Sequence, residues 1–173
     1  PVRPHPRTNT ALAAAMCVPL TSKDEYTANH SAAVAMYCRD IAAVLELPET
    51  EAEALHFAGL LHDLGKVGVP DAVLRKAHAL DEEEWELMRQ HPIFSADIIR
   101  PLFSEELVLG VRHHHEHFDG AGYPAVLAGA QLPFIPRARC VVGCYDAMSF
   151  RRPDRRGRHY TACVRVLRTW PWR

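Results

Sequence analysis

The sequence predicts an all-α protein in a single domain, and three observations carry that expectation. Apolar residues recur at three- and four-residue spacing, as in Ala33, Val34, Tyr37, Ile41, Val44 and Leu45, which would share one helix face. Helix-starting and helix-breaking residues bracket such stretches throughout the chain. Only residues 67–73 look faintly strand-like, and the Gly and Pro within them weaken that reading.

The elements follow in order. Residues 1–19 read as an N-terminal tail or linker or the start of a first helix, the Pro- and Arg-rich stretch 1–10 most clearly so. A helix is expected over 23–47, stopped by Pro48. Thr50 with Glu53 three residues on reads as a capping box opening a second helix to about Leu64, broken by Gly65, Gly68 and Pro70. Asp81 can cap a third, with Glu82, Glu83 and Glu84 set favourably against the dipole, running to about Gln90 and interrupted by Pro92. Further helices are expected over 95–101, 105–115 and 137–148, with the glycine- and proline-rich 119–124 as a loop. The main domain then spans 20–149. Residues 150–173, with eight arginines and one acid, lack clean helical periodicity. They read as a frayed basic tail of undetermined order, or as a cloning or reading-frame artefact.

Composition removes some functions from consideration. At 173 residues and 48% hydrophobic, the chain can bury a sizeable core. A formal net charge of -1 gives no electrostatic argument for DNA or an anionic membrane, so an anionic ligand must be held by local charge. Five cysteines with no C-x-x-C pair fit reduced thiols, no apolar run is long enough to span a bilayer, and no signal peptide opens the chain. A cytoplasmic location is expected. The chain opens on Pro1 rather than Met, which reads as a processed chain or a fragment of a parent protein with an upstream sensor domain or other signalling partner.

The residues that point to chemistry are His62-Asp63, followed by Gly65-Lys66, and, far along the chain, His114-His115-Glu116. Imidazole nitrogens and carboxylate oxygens together suit Mn, Fe or Zn. His62 and Asp63 close the apolar run Ala58-Gly59-Leu60-Leu61, where two buried ionisable groups need a partner and a metal ion satisfies both. Neighbouring side chains point about 100° apart on a helix, so Asp63 can bridge two ions while His62 holds one. His5, His56, His78 and His159 stand in no such context.

The stretches His62-Asp63-Leu64-Gly65-Lys66 and His114-His115-Glu116-His117-Phe118-Asp119-Gly120-Ala121-Gly122-Tyr123-Pro124 resemble the signature of the HD-GYP family, metal-dependent phosphodiesterases of the HD superfamily acting on cyclic di-GMP. The resemblance implies an HD-superfamily helical bundle and two divalent ions, Fe or Mn. It implies metal ligation by His30, in a stretch similar to YTxxHS, and by His62, Asp63, His91, His114 and His115. His113 and His117 are then solvent-facing or supporting residues, and Glu116 a candidate to orient a ligand imidazole. Some members hold a third metal through a Glu four residues before the first histidine; Tyr26 stands there, which implies two ions. In the family's chemistry an activated water attacks the phosphodiester in line, expels a ribose 3′ oxygen and leaves a 5′-phosphate. Asp63 and Lys66 are the expected catalytic residues. Lys66 would neutralise charge on the phosphoryl oxygens, or else simply offset a helix dipole. Tyr123, Arg152 and Arg155 are the further expected contacts to cyclic di-GMP or a similar cyclic dinucleotide, Tyr123 stacking on guanine or hydrogen-bonding.

The chain departs from the family pattern near its end. Where the family has an Asp ligand three residues before a second Asp, this chain reads Val141-Val142-Gly143-Cys144-Tyr145-Asp146, with Gly143 at the ligand position. Asp146, one turn on, is a candidate substitute, and Cys144 a weaker one. Arg139 stands at what should be an apolar helix position. Three readings remain: an active phosphodiesterase, a degenerate regulatory or interaction module of the same fold, and another nucleotide hydrolase of the superfamily. An aspartate restored at 143 is expected to raise metal occupancy and turnover if that position is a vacated ligand site.

Overall fold

Helices α2 (Glu25–Val44) and α3 (Glu49–Leu61) form the most extensive helix pair of the computed structural model, which describes residues 6–149 and 159–169. Side chains at 25, 26 and 147 lie outside the described set, so the position of Tyr26 as a would-be third-metal residue is not tested there. Arg152 and Arg155 also lie outside the described residues. The apolar stripe read from the sequence packs only in part: Val34 is fully buried in one core with Leu55 and Leu61 of α3, Tyr37 and Ile41 are partly buried, and Val44 and Leu45 are exposed, the buried face continuing instead through Cys38 and Ala42. A close approach sets the pair, since a Cβ added at Gly59 would lie 3.0 Å from the Ala35 Cα.

The chain begins with a helix where a tail or helix start was expected. Helix α1 runs Pro6–Lys23 and buries Ala13 and Leu20. Its last residue fixes the segment after α3: the Lys23 ammonium donates to the Val67 and Val69 carbonyls at 2.9 and 2.6 Å and pairs with Asp71 at 3.1 Å. The faint strand expected at 67–73 is instead a 3₁₀ turn, Leu64–Gly68, followed by a short helix α4, Asp71–Leu74. Satisfying these carbonyls from a lysine removes any need for a neighbouring strand.

Helix α5 (Glu82–Met88) starts with the expected Asp81–Glu84 capping box. The box expected at Thr50 and Glu53 does not form, because α3 begins two residues earlier, with Pro48 rather than Thr50 at the cap position, and this cap makes no side-chain hydrogen bond. Pro92 does not interrupt a helix; it opens α6 (His91–Ile99), where its missing N–H would have had no partner anyway. Helix α7 (Glu105–Arg112), capped by Ser104, ends before His114 and His115, which therefore stand on a turn rather than in the helix. Helix α8 (Phe134–Ser149) closes the bundle, with Ile135 and Val142 in the core. Residues 160–169 form α9, an amphipathic helix burying Cys163 and packing on α8. The expected lack of periodicity is thus corrected for this stretch: Tyr160, Cys163, Val164 and Leu167 keep helical spacing, and the arginines interleaved with them hid it.

The described residues contain helices and no strand, only an isolated bridge between Asp119 and Ala128, so the all-α expectation holds. Among them no helix is long and apolar enough to cross a membrane. The core is α2, α3, α7 and α8 around Leu55, Leu61, Val108 and Val111. Leu55 is fully buried at its centre. Leu55→Ala is expected to lower the unfolding free energy by about 3 kcal/mol, read as an earlier urea midpoint with little change in slope.

Candidate metal centre

The end of α3 is clamped onto the start of α6. The Ser95 hydroxyl donates to the His62 carbonyl and accepts from the Gly65 N–H, both at 2.7 Å. Gly65 is required at this contact: a Cβ there would stand 2.2 Å from the His91 carbonyl oxygen and 2.5 Å from the Ser95 nitrogen. The clamp brings His62 and Asp63 against His91, and α7 delivers His114 and His115 from the other side. The sequence reading missed Ser95, whose only signal is one hydroxyl on an otherwise apolar helix face.

Backbone carbonyls fix three of the imidazoles. His62 Nδ1 lies 2.8 Å from the Gly59 carbonyl, His91 Nδ1 2.7 Å from that of Met88, and His114 Nδ1 2.6 Å from that of Val111. A carbonyl can only accept, so each Nδ1 carries the proton and each Nε2 presents a lone pair. His91 Nε2 and His114 Nε2 face each other at 3.2 Å. Two lone pairs that close repel unless a cation joins them. Nitrogens bound at about 2.1 Å to one ion stand roughly 3.0–3.4 Å apart, so the spacing fits. His30 is tied through Nδ1 to the Asp146 carboxylate at 2.6 Å, the carboxylate–imidazole pairing common behind metal ligands.

Asp63 joins the two histidine groups. One carboxylate oxygen lies 3.2 Å from His62 Nε2 and 2.8 Å from the Lys66 ammonium; the other lies 3.3 Å from His91 Nε2. Burial raises its carboxyl pKa, but His62 and Lys66 outweigh that and hold it well below the usual carboxylate range. Burial, and then the Arg139 charge, push His62 down to about 3 against the pull of Asp63. His114 is held well below its ordinary value by burial and then by the neighbouring His115, and His115 by burial and then Arg139. These imidazoles are neutral, the form that ligates. Two sets of atoms lie within 4.8 Å of one another and could each hold an ion: His30, His62 and Asp63, and His91, His114 and His115.

A cavity of about 400 Å³ opens over this cluster, lined by His30, His62, Asp63, Lys66, His114 and His115, with Arg139, Gly143 and Cys144 on its α8 wall. Tyr123 stacks on His115, ring centroids 4.7 Å apart and 17° from parallel. Glu116 faces away from the ligand-type imidazoles. Fully buried, it accepts from the Ala125 and Leu127 N–H groups at 2.6 and 3.0 Å and so fastens the 117–127 loop. His113, expected at the surface or in support, is buried, 3.6 Å from Glu116; His117 is exposed at the cavity rim. Asp146, the candidate substitute ligand, is buried against His30 and belongs to neither metal-capable set.

Comparison with known proteins places the chain in a family. The profile of the HD domain family matches residues 15–169. A cyclic di-GMP phosphodiesterase of Pseudomonas aeruginosa is 39% identical over 155 residues, covering 88% of this chain and 37% of that protein. A 3′3′-cGAMP-specific phosphodiesterase of Vibrio cholerae is 34% identical over 136 residues, 76% of this chain and 26% of its own length. The chain thus spans well under half of these relatives. Among solved structures, an HD-GYP protein of Bdellovibrio bacteriovorus superposes with a TM-score of 0.61 at 22% identity, over 81% of this chain and 46% of that one, a likeness of fold.

The loop clamp has a direct consequence. Glu116→Ala removes the shared acceptor of the Ala125 and Leu127 N–H groups, and amide exchange is expected to speed up over 117–127 while α2 and α3 keep their protection. Unchanged exchange in that loop would show that Glu116 does not hold it.

Proposed function

The chain belongs to the HD domain family, and from that premise we propose that it is a metal-dependent phosphodiesterase opening cyclic di-GMP or a related cyclic dinucleotide. The carrying observation is the convergence of imidazoles held through Nδ1 by backbone carbonyls, with His62 and His91 Nε2 on the two oxygens of one buried carboxylate and His114 Nε2 facing His91. In this reading His30, His62 and Asp63 would hold one divalent ion and His91, His114 and His115 another, with the second Asp63 oxygen near the second group. The donor set suits Fe or Mn. Such ions supply Lewis-acid polarisation of the phosphoryl group and a nucleophilic water at neutral pH.

The chain's own residues do the rest. Lys66 sets an ammonium on the cavity wall beside Asp63, where it neutralises charge growing on a non-bridging phosphoryl oxygen. Tyr123 stacks on His115 and covers one face of that imidazole. Asp146 holds His30 in one tautomer. The cleaved bond is P–O3′: water oxygen joins phosphorus, the ribose 3′ oxygen leaves with a proton, and a linear dinucleotide with a 5′-phosphate results. Relatives named for cyclic di-GMP and for cGAMP support the substrate class.

One observation favours a second reading, a degenerate regulatory module: Gly143 offers no side-chain ligand, and Asp63 is the one carboxylate among the described residues lining the cavity. Turnover separates the two. The purified chain supplied with Mn(II) or anaerobic Fe(II) is expected to convert cyclic di-GMP to pGpG or GMP. The His62→Ala/Asp63→Ala double variant is expected to lose at least roughly a thousandfold in rate. A folded, metal-supplied wild-type chain that forms no product would establish the regulatory reading.

A side chain restored at 143 meets Arg139 before it meets the histidines, since a Cβ built there stands 3.3 Å from Nη1. The gain in metal occupancy expected from the sequence for Gly143→Asp alone is therefore revised: metal content should stay near wild type, the new carboxylate being paired with the guanidinium. Gly143→Asp/Arg139→Leu is expected to bind the second ion more tightly, by roughly tenfold or more, read by metal analysis after dialysis.

A further inference from the structure

Arg139 is a buried cation for which the described structure provides no anion. It is 6% exposed, lies on the cavity wall, and makes one hydrogen bond, from Nη1 to the His114 carbonyl at 3.2 Å. Its Nε has no partner among the described residues, and none of their ion pairs includes it. A guanidinium removed from water in this way is costly unless an anion pairs with it. The one carboxylate among the described residues lining the cavity, Asp63, forms no ion pair with Arg139 and is already engaged by the Lys66 ammonium.

Gly143 is the other half of the feature. Positions 139 and 143 are one turn apart on α8 and share a face. A Cβ at 143 would stand 3.3 Å from Nη1, 3.5 Å from Cζ and 3.9 Å from Nη2, so the glycine leaves the space beside the guanidinium open. The two residues that looked like separate losses in the sequence are one replacement, a negative ligand position exchanged for a fixed positive one.

We propose that Arg139 is an anion subsite of the cavity, binding the phosphate group of the substrate or of its 5′-phosphate product. A planar guanidinium suits this role because its N–H groups match two phosphate oxygens at once. Lys66 lines the same cavity, so a phosphate there would have two cations to meet, Arg139 from α8 and Lys66 from the turn after α3. The assignment of that phosphate to a cyclic dinucleotide rests on the phosphodiesterase reading; the anion subsite itself does not.

The test is thermal unfolding of the full chain with increasing inorganic phosphate, at equal metal content verified for each variant. Phosphate is expected to raise the wild-type midpoint by several degrees. Arg139→Leu is expected to weaken phosphate binding by roughly tenfold or more, and Arg139→Lys to recover part of it. Gly143→Asp, which gives Arg139 an internal carboxylate, is expected to abolish the phosphate response too, and it keeps the proposal open to refutation if Arg139→Leu does not fold. A phosphate response that is absent in the wild type, or as large in Arg139→Leu or Gly143→Asp, overturns the subsite. Turnover of cyclic di-GMP, measured on the same preparations, keeps the two ideas apart. Hydrolysis with a phosphate response independent of Arg139 removes only the subsite. No hydrolysis with a response that needs Arg139 removes the phosphodiesterase reading and supports the subsite.

Discussion

A carboxylate with almost no exposure, Asp63, sits between two groups of imidazoles, and the arrangement of the chain around it follows from that placement. Such a charge is stable in the interior only when every lone pair is answered. Lys66 answers it locally, from one turn along the 3₁₀ segment, while His62 and His91 set unprotonated Nε2 atoms beside it from α3 and α6, an arrangement that a cation would complete. The Ser95 clamp and the bare backbone at Gly65 exist at the one contact where α3 and α6 must nearly touch for this to happen. Lys23 then pins the chain that leaves the turn.

The same geometry explains why the histidines are poised rather than merely close. Each of His62, His91 and His114 spends its only ring proton on the carbonyl three residues before it. The remaining lone pairs have no donors to meet, and burial keeps protons off His62 and His114. Neutral imidazoles gathered about one carboxylate form a cation site by their chemistry, before any likeness to other proteins is considered.

The helical class and the His62-Asp63 and His114-His115 pairs were legible in the sequence because both depend on local pattern, apolar spacing for one and paired ligand-type residues in breaker-rich surroundings for the other; His30 and His91 stood out only through the family resemblance. What was not legible depends on contacts between distant segments. Glu116 reads as a partner for an imidazole next to it, yet it turns to two N–H groups of the following loop. Pro92 reads as a stop and acts as a start, because the sequence alone does not tell which side of a proline the helix occupies. Helix α9 escaped because its arginines masked an apolar spacing visible only when the window is narrowed to 160–169. Arg139 stood out as a polar residue in an apolar place, but its meaning appears only beside Gly143.

The central claim is that Asp63 is shared between two ions held by the two histidine sets. Crystals of the Mn(II)-loaded chain, with anomalous difference density recorded at the manganese edge, test it most directly. The account expects two peaks, one beside His30 and His62 and one among His91, His114 and His115, with the Asp63 carboxylate between them. Density confined to surface sites, with the imidazoles of the cluster hydrogen-bonded only to protein and water, would contradict it.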